Sequence, residues 1–71
     1  MSDQKTEIMI AENYKQRGLI AERIAINNHN LISASLHDTH NVKQYRDTLI
    51  GLHYDMYCLC RDADQLIPLI S

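Results

Sequence analysis

The feature that most constrains the fold is a regular spacing of apolar residues in the second half of the chain. From residue 42 to residue 70, apolar side chains recur at alternating intervals of three and four residues. They are Val42, Tyr45, Leu49, Leu52, Met56, Leu59, Ala63, Leu66 and Ile70. This spacing forms one stripe along an α-helix and is typical of helices that pack lengthwise against another helix.

Residues that interrupt helices are scarce. The 71-residue chain contains two glycines, Gly18 and Gly51, and one proline, Pro68. The sequence also lacks internal repeats, linkers and low-complexity tracts. We therefore predict an all-α protein with a single domain over residues 1–71, because a chain of this length holds one small core at most.

Helix one is expected over about residues 4–37, with Ser2 or Asp3 as its N-cap. Its weakest segment is NNHN at residues 27–30, where four poor helix formers in a row allow a kink or a frayed segment. Apolar residues flank this segment on both sides. Those that share one stripe are Ile20, Ile24, Leu31 and Ala34.

The connection between the helices is predicted at residues 38–41, within the sequence HDTHN. Asn41 is a good N-cap, and Gln44 follows at the spacing of a capping box. Helix two should run over about residues 42–67, because Pro68 disfavours helix in the residue before it. A connection of about four residues folds the two helices into an antiparallel αα-hairpin.

Both helices carry more apolar residues than one seam between two helices can bury. In helix two a second set lies beside the stripe and widens the apolar arc to roughly 160°, beyond the roughly 100° of an ordinary packed helix. Its members are Ile50, His53, Tyr57, Cys60 and Ile67. In helix one, Leu19 and Ile26 lie off the stripe. In helix two, Tyr54 offers a further aromatic anchor.

This excess predicts a surface for protein binding. The candidate partner-binding residues are Leu19, Ile26, Ile50, Tyr54, Tyr57, Cys60 and Ile67. Either a different protein or a second copy of the chain, forming a helical bundle, would cover such a surface.

Charge and composition limit the functions that the chain could have. Seven Lys and Arg against nine Asp and Glu give a net charge of −2, which offers no basic footprint for nucleic acid. The N-terminus MSDQKTE does not resemble a signal peptide, and no apolar run is long enough for a membrane span. We therefore expect a soluble, cytoplasmic protein that does not insert into membranes.

No residue pattern indicates catalysis, a metal site or a cofactor. Cys58 and Cys60 stand two apart, on different sides of a helix, so they cannot bridge within the chain. His37 and His40 flank the turn, where polar side chains serve capping and solvation. Because a nucleophile elbow, a phosphate loop and the HExxH motif are all missing, we predict that the chain is not an enzyme.

A polar turn that leads into V-K-Q-Y at residues 42–45, in a helical hairpin of about 70 residues, resembles the small co-chaperones of type III secretion systems, the YscE-like family. The resemblance covers the chain length, the hairpin layout and residues 41–45. Individual partner contacts do not carry over, because the shared residues lie at the turn.

The resemblance implies a role in the bacterial cytoplasm. Such a co-chaperone binds a second chaperone built of TPR-like helical repeats, and the pair keeps the needle subunit from polymerising before export. The alternative reading is a homodimeric helical adaptor or regulator, for example a small phage or plasmid protein that inhibits a host target.

Overall fold

Two long helices make up most of the protein. The structure, a computed structural model, describes residues 4–69. The elements are α1 at Gln4–His37, a 3-10 turn at Thr39–Asn41, α2 at Val42–Leu66 and a 3-10 turn at Ile67–Leu69. The predicted all-α helical hairpin is confirmed. Ser2 and Asp3, expected to cap α1, and Ile70, expected to end the α2 stripe, lie outside the described residues.

Contacts at both ends show that α1 and α2 run antiparallel. Near the start of α1, the Asn13 side-chain Nδ2 donates a hydrogen bond of 2.8 Å to the backbone carbonyl of Leu59 in α2. Near the end of α1, Ala34 and His37 line a small cleft together with Tyr45, close to the start of α2. The longest dimension, 56 Å, is close to the roughly 51 Å length of a 34-residue helix. The hairpin is therefore a thin rod one helix long.

The α2 stripe faces α1 as its spacing predicts. Leu49 and Ala63 are buried. The remaining stripe residues of α2 are half-buried: Val42, Tyr45, Leu52, Met56, Leu59 and Leu66. A contact between only two helices leaves the edges of the seam open, which explains why few of these side chains are fully enclosed.

The α1 seam is longer than the apolar pattern indicated. Ile20, Ile24 and Leu31 are half-buried and Ala34 is buried, so the predicted stripe lies in the interface. However, the less exposed positions continue at alternating steps of four and three along the whole helix. They are Thr6, Ile10, Asn13, Arg17, Ile20, Ile24, Asn27, Leu31 and Ala34. Four of these nine seam positions carry polar side chains, so the core is thin in apolar contacts.

Asn13 is the most enclosed of the seam amides, at 7% exposure. Its Nδ2 is satisfied by the Leu59 carbonyl, but no donor from the described residues reaches its Oδ1. A buried acceptor left unpaired destabilises a fold by about 1 to 3 kcal/mol. A polar residue in a helix–helix seam also fixes the register of the two helices at a cost in stability. Asn13 therefore favours one alignment of the hairpin over shifted ones.

We predict that Asn13→Leu raises the free energy of unfolding by about 1 kcal/mol, because it removes the unpaired acceptor and adds apolar area. Leu59 lies inside α2, so its carbonyl retains its helical backbone partner. A rise in melting temperature of about 4 to 8 °C, followed by circular dichroism, is the expected result. A lowered melting temperature would show that the Asn13 amide contributes net stability and would contradict this reading.

The NNHN segment does not interrupt α1, so the kink or fraying considered there is absent from the structure. Asn27 Nδ2 donates to the backbone carbonyl of Arg23, 2.8 Å away, within the helix. Asn27 and Asn30 are half-buried on the side that faces α2. Packing against α2 therefore offsets the poor helix propensity of the four residues.

The predicted capping box at Asn41 and Gln44 is wrong. Asn41 makes no side-chain capping hydrogen bond to α2; its Nδ2 instead donates to Asp38 Oδ2 across the turn. The reason is local: Thr39–Asn41 already form a 3-10 turn, so Asn41 has helical dihedral angles where a cap needs an extended conformation. The chain reverses at Asp38, whose φ of −150° and ψ of 79° separate the two helices.

Candidate functional site

The most exposed apolar side chains of α2 lie together on one side of the helix. Ile50, Tyr54 and Tyr57 are 62%, 65% and 63% exposed, and His53 is exposed between them. We call these four residues the α2 patch. Because they stand at positions i, i+3, i+4 and i+7, their side chains are neighbours on one side of the helix, within two consecutive turns. The hairpin itself does not cover them, because α1 packs on the adjacent stripe through Leu49.

Cys60 and Ile67 continue the α2 patch toward the end of the helix, as the sequence indicated. Cys60 is a free, half-buried thiol beside the seam, so it offers less contact area than the tyrosines. Ile67 is 39% exposed and begins the final 3-10 turn. Between them, Arg61 and Asp64 are exposed and charged. The structure therefore places the strongest apolar surface at residues 50–57.

Leu19 and Ile26, the two candidates in α1, are exposed but lie on the other broad side of the hairpin. Leu19 and Ile26 follow Glu12 by seven and fourteen residues, so the three side chains lie along one line on the surface of α1. Glu12 lines a groove with Asp62 of α2, and Asp62 flanks the α2 seam on the side opposite Tyr57. The structure therefore does not join the seven candidates into one surface; it divides them between two sides.

The groove has a volume of about 410 Å³ and lies between the first half of α1 and the last third of α2. Four residues from each helix line it: Met9, Glu12, Asn13 and Gln16 from α1, and Leu59, Asp62, Gln65 and Leu66 from α2. None of these residues is among the seven candidates predicted from the sequence. Continuing the seven-residue spacing through polar positions of α1 would have placed Asn13 on the seam, with Glu12 and Gln16 beside it.

Polar interactions around these surfaces are few. Arg17 stacks its guanidinium group over the ring of Tyr14, 4.9 Å from the centroid, on α1. Arg61 Nη2 lies 3.9 Å from Asp62 Oδ1, and both side chains are more than half exposed. Such an exposed pair contributes little to stability.

Among residues 4–69, no group of three or more His, Cys, Asp or Glu side chains is arranged to hold a metal ion. His37 and His40 are both exposed at the turn. Neither α1 nor α2 contains a stretch apolar enough to span a bilayer.

In comparisons with known proteins, no family model, curated protein or solved structure matches the chain.

Proposed function

We propose that the chain is a helical-hairpin binding protein that inserts the α2 patch into a concave surface of a protein partner. The observation that carries this proposal is the exposure of Ile50, Tyr54 and Tyr57, each above 60%, at i, i+4 and i+7 spacing. Helices that dock in apolar grooves use anchors at this spacing. Tyrosine also suits an interface, because it combines a large apolar ring with a hydroxyl that tolerates water at the rim.

The specific form that we propose is a co-chaperone of a type III secretion system, acting in the bacterial cytoplasm. Its partner would be a TPR-like chaperone, since helical repeats stack into superhelices with extended concave surfaces. By covering apolar helices of that chaperone, the hairpin would stabilise it, and the pair would hold a needle subunit in soluble form before export. The resemblance at residues 41–45, the hairpin layout and the exposed α2 patch all support this form.

Co-expression of the chain with the products of neighbouring genes, followed by purification, tests the proposal. The expected result is a stoichiometric complex with a helical-repeat protein, which in turn retains a small helical subunit in solution. Isolation of the chain without any such protein, from cells that produce all the neighbouring products, would contradict the co-chaperone role.

A second candidate function, a homodimeric adaptor, is favoured by the size of the exposed surface. The accessible area of the chain is 5440 Å², whereas a compact monomer of 8.2 kDa exposes about 4,500 Å². The excess, about 900 Å², is close to the roughly 800 Å² that each partner buries in a standard-size interface. A second copy that covers one broad side of the hairpin would account for it.

Self-association predicts a melting temperature that depends on protein concentration. For a dimer that unfolds to separate chains, the midpoint should rise by about 3 to 5 °C for each tenfold increase in concentration. Thermal melts over a hundredfold concentration range, with sedimentation equilibrium on the same samples, provide the measurement. A constant midpoint together with a monomeric mass would exclude the homodimer and leave the surface to a different protein.

A further inference from the structure

The groove between α1 and α2 is lined by both apolar and acidic side chains, whereas the α2 patch contains no acidic side chain. Its apolar lining comes from Met9, Leu59 and Leu66, and one carboxylate stands on each helix, Glu12 on α1 and Asp62 on α2. The register set by Asn13 opposite Leu59 brings Glu12 and Asp62 to nearly the same height along the rod. An apolar channel with a carboxylate on each side is complementary to a side chain with an apolar stem and a cationic head.

Both carboxylates retain capacity for further donors. Glu12 Oε1 accepts one hydrogen bond, 3.1 Å long, from Gln16 Nε2. Asp62 Oδ1 lies 3.9 Å from Arg61 Nη2, at the limit of an ion pair. A carboxylate offers about four acceptor positions, so these contacts leave most of them open. Asn13 Oδ1 is fully enclosed, so the charged acceptors that a ligand in the groove can reach are the two carboxylates.

We propose that this groove receives an arginine side chain from the protein partner, with its methylene stem along Met9, Leu59 and Leu66 and its guanidinium group between Glu12 and Asp62. Arginine fits better than lysine, because its planar fork of donors can engage acceptors on two rims at once. Its stem buries well along apolar surface while its head stays near water. This inference rests on the proposed binding function and adds a second contact, on the side opposite the α2 patch.

The test titrates the isotope-labelled full chain with n-propylguanidinium chloride, a probe with the stem and head of arginine, at constant low ionic strength. The expected result is saturable movement of backbone amide signals confined to residues 9–16 and 59–66. n-Butanol, which has a similar stem without charge, should bind about tenfold more weakly, since it loses both carboxylate contacts. Sodium chloride at equal ionic strength serves as the blank.

A pair of matched variants separates charge from shape. Glu12→Gln combined with Asp62→Asn keeps the groove volume and should weaken propylguanidinium binding about tenfold. Glu22→Gln combined with Asp47→Asn removes the same charge from exposed positions outside the groove and should leave binding unchanged. Equal binding by both variants, equal binding of butanol, or diffuse shifts that do not saturate would overturn the inference.

The outcome is independent of the test of the binding function. If the chain copurifies with a partner but propylguanidinium does not bind in the groove, the arginine site is wrong while the binding function stands. If propylguanidinium binds as expected and the chain has no protein partner, the cation site stands and the binding function fails.

Discussion

Replacing Leu49 with alanine is expected to unfold most of the isolated chain. Leu49 is 7% exposed and is the largest side chain of α2 in the buried core. Truncation of a buried leucine costs about 2 to 5 kcal/mol, and a core of this size supplies only about 3 to 5 kcal/mol in total. Circular dichroism at 25 °C should therefore show loss of most of the helical signal.

The neighbouring residue provides the matched control for this experiment. Ile50 has the same number of carbon atoms but is 62% exposed. Ile50→Ala should change the free energy of unfolding by about 0.5 kcal/mol or less at low protein concentration. If the two variants lost equal stability in urea titrations, the division of α2 into a seam and an exposed patch would be contradicted.

Replacing Tyr57 with alanine should have the opposite profile, with little effect on the free chain and a large effect on the complex. Tyr57 is 63% exposed, so its truncation removes no packing from the seam. An aromatic anchor buried on binding contributes about 2 kcal/mol or more, which corresponds to roughly a thirtyfold loss of affinity. Isothermal titration of each variant against the copurified partner measures the loss.

Ile26→Ala is the control for general loss of exposed apolar area. Ile26 is 60% exposed on α1, lies on the other broad side of the hairpin and is outside the groove. Its truncation should leave affinity within about twofold of the unchanged chain, because it lies outside the α2 patch. Equal losses for the two variants would mean that binding does not depend on the α2 patch.

The sequence was sufficient to predict α2 and the hairpin. In α2 the residues that meet α1 are apolar at every seam position, so the spacing from Val42 to Leu66 identifies the interface directly. In α1 the interface includes Thr6, Asn13, Arg17 and Asn27, and an apolar pattern cannot reveal polar seam residues. Packing along the full length of α2 then keeps α1 helical through Asn27 and Asn30, where propensity alone suggested a break.

The conformation of the turn, and the division of the candidate binding residues between two sides of the hairpin, could not be predicted from the spacing of residues in the sequence. The 3-10 conformation of Thr39–Asn41 gives Asn41 helical dihedral angles, and this removes the cap that Asn41 and Gln44 predicted. The exposure of Ile50 and Tyr57 followed from their position beside the stripe. The sequence alone does not show that Leu19 and Ile26 lie on the other side of the hairpin from these residues. Their placement depends on the handedness of the hairpin, which determines which flank of α1 lies next to which flank of α2.

Site-specific photo-crosslinking in the complex tests the central claim most directly. A benzophenone amino acid placed at position 57 lies in the α2 patch, whereas the same group at position 48 lies on the opposite flank of α2, about 21 Å along the helix from Asp62 of the groove. We expect a covalent product with the partner from position 57 and little or none from position 48. Crosslinking from position 48 alone, or equally from both positions, would contradict the proposed role of the α2 patch.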